Sequence, residues 1–124
     1  MSEANKDVVR RWVEELMNQG DLDVVDELYV PLLAPSARQW VTSFRASFSD
    51  VHMEVVTLIA EGNQVVGRFT SAGTHAGPWL GHPPTRRRFH DVDEVCFFSL
   101  LNGRIVDTWG IEDTLERLRQ LGLS

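Results

Sequence analysis

The chain lacks the features that mark several large classes of protein. Cys96 is the only cysteine among 124 residues, so no internal disulfide can form. No stretch approaches the roughly 18 consecutive apolar residues that a membrane-spanning helix needs. The polar start, residues 1–7, has no apolar segment of the signal-peptide type. We therefore expect a protein of the reducing cytoplasm that has no membrane partner.

Positive charge is also scarce. Twelve lysines and arginines face eighteen acidic residues, which gives a net charge of −6. An acidic surface repels phosphate groups and disfavours nucleic-acid partners. One basic run, Arg86-Arg87-Arg88, is open to two interpretations, a solvated strand edge or a nucleic-acid site. The acidic background favours the strand edge, so we expect no nucleic-acid partner.

Sequence signatures of metal and cofactor sites are missing as well. There is no glycine-rich phosphate loop and no serine nucleophile elbow. The four histidines share no helical spacing and have no cysteine companions: His52, His75, His82 and His90. We expect neither a metal nor a cofactor. His75 is predicted instead to brace the end of a sheet through backbone hydrogen bonds.

The first part of the chain has the periodicity of helices. An apolar stripe at spacings of three and four predicts a first helix that ends near Gly20: Val9, Trp12, Val13, Leu16 and Met17. Asp21 caps a short second helix. Ser36 and Gln39 have the spacing of a capping box and predict a third helix that carries Trp40.

From residue 51 the apolar pattern becomes that of strands. Strands are predicted over 51–60, 64–74, about 87–101 and 104–111, with a loop over 76–85. Asp113 and Glu116 predict a capping box for a C-terminal helix. Helices followed by an antiparallel meander indicate an α+β fold, with residues 1–124 forming one domain whose curved sheet is wrapped by the N-terminal helices.

The last predicted hairpin is apolar on both faces. With a three-residue turn and a bulge, one face carries Cys96, Phe98, Thr108 and Val106. The other carries Val95, Phe97, Trp109 and Ile105. The helices can cover only one face, so we expect a homodimer through the second.

Several local strings, in their order and spacing, resemble the SnoaL-like polyketide cyclases. These cyclases share a cone-shaped α+β fold with nuclear transport factor 2, ketosteroid isomerase and limonene epoxide hydrolase. The matching strings are Asn18-Gln19-Gly20-Asp21-Leu22-Asp23, Val25-Asp26-Glu27-Leu28, Gly73-Thr74-His75-Ala76-Gly77, Leu80-Gly81-His82-Pro83-Pro84-Thr85, Gly103-Arg104-Ile105-Val106-Asp107 and Leu118-Arg119-Gln120-Leu121-Gly122.

The resemblance implies a cofactor-free intramolecular aldol reaction, although a fold alone does not carry a function. The family's acid/base aspartate falls on Gly110 in this chain, and its assisting histidine falls on Cys96. The region of the family's pocket asparagine, residues 32–35, is shortened. The family's catalytic set is therefore not clearly present, and other residues must be considered.

The string His90-Asp91-Val92-Asp93-Glu94 is the richest in candidate acid/base groups. Alternate residues of a strand share a face, so Glu94 shares the face of Cys96 unless a bulge intervenes. A carboxylate on an apolar wall has a raised pKa and suits general acid/base catalysis. We predict catalytic roles for Glu94 or Asp93, assisted by His90. The alternative is a solvated rim, or an ion pair with Arg68 or Arg88.

A second group of residues is predicted to bind the substrate. Arg68 lies in mid-strand and needs either a carboxylate partner or an anionic ligand atom. Tryptophans are more often core residues than ligand contacts, but Trp79 sits in the loop at the expected mouth. The complete set of predicted substrate-binding residues is Arg68, Trp40, Trp79, Cys96, Thr108 and Gly110.

Three hypotheses about function follow. The first is a cofactor-free cyclase, isomerase or hydrolase that acts on a hydrophobic or polyketide-like small molecule. The second is a binding protein for an apolar small molecule without chemistry, since Gly110 and Cys96 stand at the family's catalytic positions. The third is a structural dimer, which predicts a pocket filled by tryptophan and phenylalanine side chains.

Overall fold

The computed structural model describes residues 2–124, and its order of helices and strands confirms the α+β prediction. Helices come first, a four-stranded sheet follows, and one helix ends the chain. The elements are α1 (Ser2–Arg11), α2 (Val25–Leu28), α3 (Ala34–Ser47), β1 (His52–Glu61), β2 (Gln64–Thr74), β3 (Arg88–Leu101), β4 (Arg104–Glu112) and α4 (Thr114–Gln120).

The first helix changes its winding halfway along. α1 continues directly into a π-helical segment, Trp12–Asn18. The predicted apolar stripe is buried along both halves, and it forms the main core with the inner face of the sheet. Gly20 has φ of +68°, a conformation that glycine adopts without strain, and it ends the segment as predicted.

The third helix begins earlier than its predicted capping box. α3 starts at Ala34, and its N-cap residue, Leu33, makes no side-chain cap hydrogen bond. The capping-box prediction for Ser36 and Gln39 was therefore wrong. The physical reason is Pro35, which lies in the first turn, where its fixed φ suits the helix and its missing N–H costs nothing.

The sheet is an antiparallel meander in the order β1-β2-β3-β4. Its inner face packs against the helices, and bulges reset the alternation of β3 and β4 at two places. One bulge falls at Val106, so Ile105 pairs with Leu100 and is fully buried. The prediction that placed Ile105 on the outer face was wrong for this reason, and Val106, predicted on the inner face, leaves the ladder at the bulge.

His75 ties the loop between β2 and β3 to the sheet. Its backbone N–H donates to the Arg87 carbonyl at 2.9 Å, and its carbonyl accepts from the Arg86 N–H at 3.0 Å. Its ring Nδ1 accepts from the Thr85 N–H at 3.1 Å. The bracing role predicted for His75 is thus visible in its hydrogen bonds. Separately, none of the helices in residues 2–124 combines the length and the apolarity needed to cross a bilayer.

The outer face of the sheet carries one apolar row that crosses all four strands. Ile59, Val66, Phe97 and Trp109 stand opposite one another in register. The Phe97 and Trp109 rings meet edge to face at 5.8 Å. Phe97 is 41% exposed and Trp109 is 59% exposed, so the chain leaves this aromatic pair in contact with water. We propose that a second copy of the chain covers this face.

If a second copy covers this face, Phe97→Glu should convert a dimer to a monomer, because it would place an unpaired charge in the buried interface. Light scattering after size-exclusion chromatography, at micromolar concentration, measures the mass directly. Leu32→Glu is the matched control, since Leu32 is 87% exposed and belongs to another surface. A wild-type monomer under these conditions would refute the dimer.

Candidate functional site

A cavity of about 510 Å³ lies between the inner face of the sheet and the helices. The third helix forms one wall, and the paired strands β3 and β4 form the other. A pocket filled by aromatic side chains, as the structural hypothesis predicts, would leave no such volume. The lining residues are Trp12, Tyr29, Leu33, Ser36, Ala37, Trp40, Phe44, Trp79, Glu94, Cys96, Thr108, Gly110, Ile111 and Glu112.

Two carboxylates face each other on the cavity wall. Glu94 on β3 is directly opposite Glu112 on β4 in the antiparallel register. Burial is the main cause that raises the pKa of Glu94 to about 7, and the negative charge of Glu112 raises it further, while Arg117 opposes the rise. Glu94 therefore exchanges its proton near neutral pH, as a general acid or base must.

Glu112 is held differently from Glu94. Its Oε2 accepts a hydrogen bond from the Thr114 hydroxyl at 3.0 Å and forms an ion pair with Arg117 Nη1. No hydrogen bond or ion pair to the side chain of Glu94 is found within residues 2–124. The guanidinium of Arg117 thus binds Glu112 directly. Within residues 2–124, Glu94 has no cation of its own.

Arg117 projects from α4 into a cage of aromatic rings. Its guanidinium carbon lies 4.6 Å from the centre of the Phe89 ring and 5.5 Å from the rings of Phe44, Phe48 and Trp79. Its Nη2 donates to the Ser71 hydroxyl at 3.3 Å. The residue is only 1% exposed. The ring faces stabilise the buried cation, which keeps it available to Glu112.

Cys96 and Gly110 form the wall next to the two carboxylates. They are paired across β3 and β4, and a Cβ on Gly110 would lie 3.3 Å from the Cys96 sulfur and 3.3 Å from the Val95 carbonyl oxygen. The bare backbone of Gly110 therefore makes room for the thiol. Burial raises the pKa of Cys96 to about 12, so this residue is a neutral thiol and not a base.

Three of the predicted site residues lie outside the cavity. Asp93 points to the opposite face from Glu94, where Arg68 Nη2 contacts its Oδ1 at 3.0 Å, and both side chains are half exposed.

His90 lies at the surface, and its backbone N–H and carbonyl are both bonded to the Gln120 side-chain amide. A bulge around Asp91, whose φ is +54°, turns His90 outward. Of Glu94, Asp93 and His90, the structure therefore brings only Glu94 to the cavity, and the catalytic roles predicted for them stay predictions.

The other predicted residues do meet at the cavity. Trp40 stacks on Phe44 with ring centres 5.7 Å apart, and Trp79 contacts Phe48 edge to face at 5.4 Å. Thr108, Cys96 and Gly110 line the sheet wall. The predicted roles of these residues in binding stay predictions.

Sequence reasoning missed Glu112 and Arg117. Glu112 lies two residues after Gly110, so strand alternation could have placed it on the same face. Arg117 lies four residues before Leu121, and these two residues form the buried side of the short helix α4. The signal for Arg117 was weak, because the surrounding charges are typical of a solvated helix face. Within residues 2–124, no group of three or more His, Cys, Asp or Glu side chains is placed to hold a metal ion.

Removing the buried cation should destabilise the fold. Arg117→Met should cost roughly 3 kcal/mol in the free energy of unfolding, because it leaves Glu112 without its partner. Adding Glu112→Gln to that variant should recover part of the loss, since the uncompensated charge is then gone. Urea unfolding of the wild type, both single variants and the double variant measures this coupling. If the changes in unfolding free energy of the two single variants sum to that of the double variant within about 0.5 kcal/mol, the two side chains are independent.

Solved structures share this architecture across the whole chain. TsrD from Streptomyces laurentii superimposes with a TM-score of 0.91 at 24% identity, over 98% of this chain and 97% of that one. IdmH from Streptomyces antibioticus superimposes with a TM-score of 0.80 at 28% identity, over 95% of this chain and 98% of that one.

Two Streptomyces cyclases are also related to the chain in sequence. The aklanonic acid methyl ester cyclase DnrD of Streptomyces peucetius is 28% identical over 94% of this chain and 89% of its own length. The nogalonic acid methyl ester cyclase of Streptomyces nogalater is 33% identical over 85% of this chain and 88% of its own length. The family model described as SnoaL-like polyketide cyclase matches residues 7–121. By this match, by these relatives and by its fold, the chain belongs to the SnoaL-like polyketide cyclase family.

Proposed function

We propose that the chain is a cofactor-free acid/base enzyme of the cyclase type, in which Glu94 carries the proton. The observation that supports this most is the placement of Glu94 on the cavity wall, opposite Glu112 and without its own cation. Its pKa of about 7 makes both protonation states available at neutral pH. The cyclase names of the curated relatives agree with this chemistry.

The proposed step is an intramolecular aldol closure. The Glu94 carboxylate takes a proton from a carbon next to a carbonyl group, and the electron pair of that C–H bond forms a new bond to a second carbonyl carbon of the same molecule. The oxygen of the second carbonyl becomes an alkoxide and takes the proton back from Glu94. No electrons are gained or lost overall, and the carboxylate is regenerated.

The cavity favours an uncharged, largely apolar substrate. Aromatic side chains form much of its wall, with Trp12, Trp40, Phe44 and Trp79 among them. No lysine, arginine or histidine of residues 2–124 lines it, while Glu94 and Glu112 do. A ligand anion would therefore find no cationic side chain of the described residues on the wall, since Arg117 is not a lining residue and is already paired with Glu112. A hydrophobic or polyketide-like molecule fits these properties.

One observation supports a second candidate, a binding protein without chemistry. By the family resemblance, Gly110 and Cys96 stand where the cyclases carry their aspartate and histidine. Gly110 has no side chain, and Cys96 is a buried neutral thiol that cannot accept a proton at neutral pH. In this candidate the cavity holds an apolar small molecule, and Glu94 contributes polarity only. The second copy of the chain, the cytoplasmic location and the absence of nucleic-acid, membrane and cofactor partners stay predictions.

Glu94→Gln should abolish turnover, because the amide keeps the shape of the side chain and cannot accept a proton. The first probe is aklanonic acid methyl ester, taken from the names of two relatives, with the cyclised product followed by mass spectrometry. Asp93→Asn is the matched control, since Asp93 is adjacent on the strand but lies outside the cavity. Turnover by Glu94→Gln at the wild-type rate would contradict the proposal, and binding of the ester without turnover by the wild type would favour the binding protein.

Stability should depend on pH through the same residue. The pKa of Glu94 is about 7 in the folded chain against 4.5 as its ordinary value, so between these values the folded state holds the extra proton. The contribution of Glu94 to the free energy of unfolding therefore falls by roughly 2–3 kcal/mol as pH rises from about 4.5 to about 7. Urea unfolding near pH 5 and near pH 8 should show Glu94→Gln gaining stability relative to the wild type at the higher pH. An equal difference at both values would contradict the raised pKa.

A further inference from the structure

A second polar group faces the cavity in addition to the carboxylates. Tyr29 follows α2, and Trp12 belongs to the π-helical segment; both line the cavity. The Trp12 indole Nε1 donates a hydrogen bond to the Tyr29 hydroxyl oxygen at 2.9 Å. The Tyr29 backbone N–H donates to the Val25 carbonyl at 2.9 Å, and Tyr29 forms a parallel bridge with Ile105 of β4. The phenol is thus fixed at both its backbone and its oxygen.

The direction of this hydrogen bond leaves the hydroxyl proton of Tyr29 without an acceptor among the described residues. An indole N–H can only donate, so the Tyr29 oxygen must accept, and its own proton must point elsewhere. Within residues 2–124, no acceptor for that hydroxyl proton is found. Tyr29 is 8% exposed, and an unsatisfied donor at such a buried site is costly. Because Tyr29 lines the cavity, a ligand oxygen there can accept a hydrogen bond from this hydroxyl.

Tyr29 is placed on the Cys96 side of the cavity. Burial raises the pKa of Tyr29 to about 12, and a thiolate at Cys96 would add to this rise, so Tyr29 stays a protonated donor beside Cys96. Cys96 lies two residues beyond Glu94 on the same strand face, which corresponds to about 7 Å along a strand. Tyr29, Cys96 and Glu94 all line the same cavity, so one ligand bound there can contact both Tyr29 and Glu94.

We propose that Tyr29 is the residue that positions the substrate: its hydroxyl, oriented by Trp12, donates a hydrogen bond to a carbonyl oxygen of an uncharged ligand. The acceptor is a carbonyl and not a carboxylate, because Glu94 and Glu112 disfavour an anion in this cavity. The meaning of this contact for catalysis rests on the proposed function, since it fixes which part of the molecule lies at Glu94. The hydrogen bond itself does not depend on that function.

The test uses two probes of the same shape, the ketone 9-fluorenone and the hydrocarbon fluorene, which differ by one carbonyl group. Equilibrium dialysis should show wild-type protein binding the ketone about fivefold more tightly than the hydrocarbon, as one hydrogen bond provides. The infrared carbonyl band of bound 9-fluorenone should shift to lower frequency. Tyr29→Phe should abolish both the preference and the band shift, and leave the affinity for fluorene unchanged.

A second variant separates this proposal from the proposed function. Glu94→Gln should keep the preference for the ketone and the band shift, even though it stops proton transfer. Loss of turnover in Glu94→Gln with no ketone preference in the wild type would overturn the role of Tyr29 alone. Retention of the preference by Tyr29→Phe, an unshifted carbonyl band, or failure of the wild type to bind 9-fluorenone would each overturn it as well. Thermal unfolding of Tyr29→Phe checks that the fold is intact.

Discussion

The ion pair between Arg117 and Glu112 is the interaction on which the rest of the site depends. It joins the C-terminal helix to the last strand and holds a buried cation inside a cage of aromatic rings, paired with a carboxylate of the cavity wall. A buried guanidinium needs a partner, and Glu112 provides it. Among the described residues, the neighbouring Glu94 has no such partner. Burial and the negative charge of Glu112 opposite it therefore both raise the pKa of Glu94. Because Arg117 pairs with Glu112 and not with Glu94, burial and the charge of Glu112 keep the pKa of Glu94 raised.

Local sequence signals predicted most of the fold. The apolar stripe of the first helix, the turn at Asn102-Gly103 and the cap at Asp113 each depend on residues close together in sequence, and the structure contains all three. Apart from the capping box predicted for the third helix, the errors occurred where one extra residue changes the alternation of a strand. The bulge at Val106 places Ile105 on the inner face, and sequence pattern alone does not show which residue leaves the ladder.

The candidate site was predictable only in part, for a related reason. Glu94 reaches the cavity because an unbroken alternation links it to Cys96, and the same rule sends Asp93 to the outer face with Arg68. His90 lies beyond a bulge, so the rule does not extend to it. Arg117 could not be placed at all, because its burial depends on rings from distant parts of the chain. A cation in an aromatic cage is a tertiary feature, and the helix that carries it looks solvated in sequence.

The proposed chemistry depends most directly on the protonation of the Glu94 side chain. Carbon-13 NMR of the side-chain carboxyl of Glu94, assigned by comparison with Glu94→Gln, measures its titration between about pH 4 and about pH 9. We expect an apparent pKa near 7, caused chiefly by burial and by the charge of Glu112. A midpoint near the ordinary value of 4.5 would show that Glu94 is solvated or paired with a cation, and would contradict its proposed role as the acid/base group.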